Sequence, residues 1–193
     1  LQHAYSLFSS ACVADPTYGQ AFYQYGNNNN DLKLPHAAIA GWRVALNCQN
    51  TPEERAKILV NYGWGLHQLG REEEALAASS EAVGLDPKLA LGWANIAVIN
   101  QILGRPVAAV ENARVAYRLD PNDVNIEILL AFSLLYNGDY QEGFLRFEQR
   151  FKWRLQSFLQ FPYPKWEGEP GKTLYLVADQ GLGDTLSFSR FVE

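Results

Sequence analysis

The chain holds 193 residues, 48% of them hydrophobic, with 16 Lys and Arg against 21 Asp and Glu and a formal net charge of −5. That acidic balance lacks the basic stripe nucleic acid needs, and no apolar run approaches the roughly 20 residues of a membrane span, so neither is expected as a partner. Cys12 and Cys48 do not make a disulfide framework, and His3, His36 and His67 show no metal-ligand spacing, so no metal or cofactor is expected.

The opening Leu1-Gln2-His3 has neither a start Met nor a basic leader, and no Met occurs anywhere. The sequence is therefore expected to be a piece of a longer protein, without a signal peptide and cytoplasmic. In chain order, residues 4–14 read as one helix, with Ala4, Phe8, Ala11 and Pro16 at regular offsets. Helices are predicted over 17–29 and 35–48, on Phe22, Tyr25-Gly26, Ala38, Trp42 and Ala45. Between them Asn27 to Asp31 is expected to fray the helix end or form an elaborated turn. Both cysteines fall near the end of a helix pair, where buried thiols pack. Helices follow over 53–68 and 72–84, the second opened by Glu72, Glu73 and Glu74, which suit a helix N-terminus. Two more are predicted over 88–102 and 106–118, broken at Gly104-Arg105-Pro106, and two over 122–136 and 140–153.

Leu85-Asp86-Pro87 returns as Leu119-Asp120-Pro121, 34 residues on. Trp93, Ile96-Ala97, Asn100, Ala109, Ala113 and Pro121 fill the offsets of a helix–turn–helix unit of that period. This is the signature of a tetratricopeptide repeat. Ala97 and Ala109 are small where two helices of a hairpin cross, and Ala116 where the next unit stacks. The step between the first two full repeats is 37 residues, so a three-residue insertion is expected near Cys48 to Pro52. One such unit cannot bury its own apolar face, so neighbours must cover it. The predicted fold is all-α: a right-handed superhelix of four full repeats and one half repeat over 1–154, a Pro- and aromatic-rich linker over 155–171, and a strand–loop–helix over 172–193.

Asn61 and Asn95 are 34 residues apart and hold the same place on successive first helices. Gln24 and Leu129 hold it in the repeats on either side. Amides lining a concave face can bond an extended peptide backbone through a donor and an acceptor each. Trp64, His67 and Gln101 are expected on or near that face. Each asparagine could equally be satisfied by its neighbours.

Beyond the repeats, Leu174 to Val177 reads as a buried strand, followed by Gln180, Gly181, Gly183, Asp184 and Thr185 in a glycine loop and then a helix start. Phe151-Lys152-Trp153-Arg154, Pro164-Lys165-Trp166-Glu167-Gly168, the strand, the loop and Arg190-Phe191 together resemble bacterial proteins that join tetratricopeptide repeats to a glycosyltransferase lobe. These are similar to O-linked N-acetylglucosamine transferase. Asp179 stands where that group would have Glu. The resemblance implies a two-lobed enzyme with a nucleotide-sugar donor and an asparagine ladder for its acceptor. Only the first strand and helix of one lobe are in this sequence, so the chain itself is expected to be a protein- or peptide-binding module rather than an enzyme. The other expectations are a transferase fragment with part of an acceptor site around Gly181 to Thr185, and an oligomerisation scaffold. A homodimer through the C-terminal strand is a further expectation.

Overall fold

The computed structural model describes residues 19–48 and 50–147. These fall in one compact unit, Leu1–Gln156. They form α1 (Gly19–Asp31), α2 (Pro35–Asn47), α3 (Pro52–Gln68), α4 (Glu72–Leu85), α5 (Ala90–Ile102), α6 (Pro106–Leu119), α7 (Val124–Asn137) and α8 (Tyr140–Phe147). No strand occurs among the described residues. The helix over 4–14, the end of the last helix, the linker over 155–171, and the strand, glycine loop and strand-mediated dimer over 172–193 lie outside them.

Local chemistry sets the boundaries. Pro35 and Pro106 open α2 and α6, where a missing N–H costs nothing. Thr51 and Glu54 form a reciprocal capping box at the start of α3. The Asp86 and Asp120 carboxylates each accept from the backbone N–H two residues on, which turns the chain after α4 and α6. The recurrent Leu-Asp-Pro is therefore a turn former as well as a helix stop.

The α3–α4, α5–α6 and α7–α8 turns place Gly70, Gly104 and Gly138 at φ of 71°, 70° and 93°. This left-handed region suits a residue without Cβ. The α1–α2 turn needs the same conformation and holds it with Lys33, at φ 61°.

Two expectations are corrected. Asn27 to Asn30 neither fray nor turn: they are the last full turn of α1, with Asn28 and Asn29 buried. Asn27 and Asn30 accept side-chain bonds from outside the helix, described below. Asn29 Nδ2 donates to the Tyr25 carbonyl, while Asn28 Nδ2 and Asn29 Oδ1 are buried without a partner among the described residues. Cys48 is only half-buried, past the end of α2, with its thiol against the Val44 carbonyl. The three-residue insertion has a structural outcome as well. It lengthens α3 to 17 residues, where α5 has 13, while Asn50 bonds the Ala45 and Cys48 carbonyls at the end of α2.

The core is shared between repeats. Ile39 of α2, Leu59, Val60 and Leu66 of α3, Ala75, Ala78 and Ala82 of α4, and Ile99 of α5 form one cluster. Ala97, Val110, Ala113, Leu130 and Leu134 form the next, across α5, α6 and α7. Burying a leucine such as Leu130 or Leu134 contributes about 1.5–3 kcal/mol, and here each does so against a neighbouring repeat. Ala116 is fully buried beside Ile126 of the following repeat, as its small size requires. Each hairpin packs tightly through small residues. A Cβ on Gly63 would lie 2.7 Å from the Ser79 hydroxyl, and one on Gly26 would run into the Trp42 indole.

Candidate functional site

The first helices α1, α3, α5 and α7 pack successively on one another, and the second helices α2, α4 and α6 each pack on the first helix before and after. Side-chain amides stitch the first-helix layer. Asn61 Nδ2 donates to Tyr23 Oη at 3.1 Å and to Asn27 Oδ1 at 3.0 Å. The same Asn27 oxygen accepts from Trp42 Nε1 at 2.9 Å, tying the first hairpin to the second repeat. Gln68 Nε2 reaches Asn30 Oδ1, Asn95 Nδ2 reaches the Val60 carbonyl at 3.0 Å, and Gln101 Nε2 reaches Ser133 Oγ at 2.8 Å. Apart from the Trp42–Asn27 bond, which lies within the first hairpin, each bond crosses from one repeat to the next.

This places the residues expected to bind a peptide. Asn95 is buried and its amide serves the α3 backbone. Asn61 is half-buried in the α1–α3 contact, and Gln24 is half-buried on α1. Trp64 is exposed, with its ring 5.0 Å from that of His67. The His67 imidazole is held in turn by Glu72, with Nδ1 at 2.9 Å from the nearer carboxylate oxygen, and both side chains are mostly buried. Gln101 has one end on Ser133 and also lines an open groove.

That groove lies between α5 and α7 and has a volume of about 490 Å³. Val98, Ile128, Leu129, Phe132 and Tyr136 form its apolar lining, with the Gln101 and Asn125 amides beside them. Phe132 and Tyr136 are 47% and 56% exposed, and Ile102 on the same layer is 60% exposed. Of these residues the sequence marked Gln101 as a binding residue and Leu129 only as the holder of the asparagine place in the fourth repeat. The available signal was periodicity: Trp64, Val98 and Phe132 are 34 residues apart in turn, as are Gln68, Ile102 and Tyr136.

A charged cluster outside this groove ties α8 to α6. Arg114 grips Glu142 through two bonds of 2.6 and 3.1 Å, and Arg146 adds a third at 2.8 Å while its guanidinium lies over the Tyr117 ring. The Arg114 guanidinium first, and Arg146 second, hold the Glu142 carboxyl below the usual range. Among the described residues no group of three His, Cys, Asp or Glu is placed to hold a metal ion. No helix among them is long and apolar enough to cross a membrane.

No protein-family model matches the chain. It is similar to protein FlbA of Caulobacter vibrioides, with 24% identity over 214 aligned residues. That match takes in 81% of this chain but only 36% of the length of FlbA. Among solved structures it is similar to MamA (TM-score 0.66, 15% identity, 79% of this chain and 87% of that one). It is also similar to YrrB, described as a TPR protein with an unusual peptide-binding site (TM-score 0.61, 15% identity, 81% and 79%). A third is PilF of Pseudomonas aeruginosa (TM-score 0.61, 24% identity, 80% and 67%). At these identities the likeness establishes the fold: the described residues form an all-α solenoid of tetratricopeptide-type hairpins.

Proposed function

We propose that the repeats are a protein- and peptide-binding module whose binding surface is the layer of first helices. The observation that carries this reading is the α5–α7 groove, where apolar side chains stay exposed beside two amides. Exposed apolar surface with a few polar groups is the usual make-up of a site that takes a partner. The peptide-binding site attributed to YrrB, on the same fold, agrees with it. The described residues act by binding and positioning rather than by chemistry. A random peptide array probed with the labelled chain tests the proposal. Phe132→Glu, on the groove, should remove binding, and Val107→Glu, on the exposed side of α6, should leave it. Equal loss from both would contradict the reading.

A second reading concerns the protein this module serves. The chain spans 36% of the length of FlbA, so the activity of a whole protein is a separate proposal. The motifs from Pro164 to Phe191 favour a glycosyltransferase lobe, to which the repeats would present a protein acceptor. Sugar transfer by a longer protein that Gly183→Val abolishes would support this, and transfer untouched by that change would count against it.

A further inference from the structure

We infer that the partner at the α5–α7 groove is an uncharged peptide stretch that inserts a bulky aliphatic or aromatic side chain between Val98 and Phe132, and that acidic segments are rejected. The inference rests on the binding-module reading and narrows it to one chemical class. Helix α5, Ala90–Ile102, contains no charged residue. Helix α7 contains one, Glu127, which lies 3.9 Å from Arg146 and does not line the groove. A carboxylate or ammonium entering this space would lose hydration and meet no opposite charge. An apolar side chain would instead cover Phe132 and Ile128, while the Asn125 amide and the free end of Gln101 bond the peptide backbone.

The positions equivalent by repeat extend the pattern along the layer. Where α7 has Phe132 and Tyr136, α5 has Val98 and Ile102, α3 has Trp64 and Gln68, and α1 has Asn27 and Asp31. The layer therefore grades from amide-rich at α1 to apolar at α7. The charges on it, such as Lys57 and Asp31, belong to the first two repeats. A partner lying along it matches its apolar residues to the last two repeats and its polar ones to the first two.

The test probes the full chain against an array of random peptides capped at both ends, and against the same peptides with free C-terminal carboxylates. Enrichment of capped, uncharged peptides rich in Leu and Phe is expected. Their affinity should change less than roughly twofold between low and high salt, since no exposed ion pair contributes. Phe132→Ser, or Val98→Ser as a second variant, should weaken it by roughly tenfold or more, with circular dichroism unchanged. Enrichment of acidic peptides or free carboxylates, lost in salt and in Lys57→Ala, would overturn the inference and leave the binding-module reading standing. A folded chain that binds no peptide in either set would overturn both.

Discussion

Lys33 occupies the left-handed position that Gly70, Gly104 and Gly138 fill in the other three turns. A side chain there costs roughly 1–2 kcal/mol, partly offset by the larger unfolded-state entropy of glycine. Lys33→Gly is therefore expected to raise stability by up to about 1 kcal/mol, and Gly104→Ala to lower it by about that much. Thermal melts in which Lys33→Gly destabilises the chain would show that Lys33 makes a contact that outweighs its backbone strain. Glu142 gives a second test at this scale. Its carboxyl is depressed in the folded state by Arg114 and then Arg146. It therefore stabilises the fold above the unfolded glutamate value of about 4.3, and the contribution is lost as pH falls through the lower folded value. The melting-temperature gap between the wild type and Glu142→Gln should be full at neutral pH and close under acid conditions. A gap that persists unchanged into strong acid would contradict this. The asparagine run shows where residue-level reading stops. Asn, Asn, Asn and Asn predict a broken helix by intrinsic preference. The partners that override it, Trp42, Asn61 and Gln68, lie 15 to 38 residues away in sequence, and no local propensity contains them.

Elements were the legible scale. The helices predicted over 35–48, 72–84 and 106–118 are observed as Pro35–Asn47, Glu72–Leu85 and Pro106–Leu119. Their limits were readable because proline, glycine and Asp-Pro are local punctuation acting on the adjoining backbone. The extra turn of α3 was legible only as a slip in the period, since spacing counts residues without saying which element absorbs them. Packing at the hairpin crossing follows from the same frame. Ala109 is fully buried, so Ala109→Leu should overpack the crossing and cost about 1–3 kcal/mol. Glu73 makes one exposed pair with Arg105 at 3.3 Å, so Glu73→Ala should change stability by no more than about 0.5 kcal/mol. Equal shifts in denaturant midpoint would mean that the buried face has been assigned to the wrong side of the helix.

At the scale of the whole described region, repetition does two things. It shares each apolar cluster between neighbouring hairpins, so that no repeat is stable without the next. It also aligns the first helices into one layer, where equivalent positions become a continuous surface. The candidate site was only partly legible for that reason. Asn61 and Asn95 were picked out by their spacing, yet their amides join repeats, because a position facing the next first helix is satisfied by it. Phe132 and Tyr136 were not singled out in the sequence, and it is the stack that leaves them exposed at the α5–α7 groove. The measurement that bears most directly on this account is a backbone amide chemical-shift titration of the chain with an array-selected peptide. The account predicts saturable shifts concentrated at Val98, Gln101, Phe132 and Tyr136, with Val44 and Val107 on the second helices unmoved. Shifts concentrated on the second helices, with the α5–α7 groove silent, would contradict it.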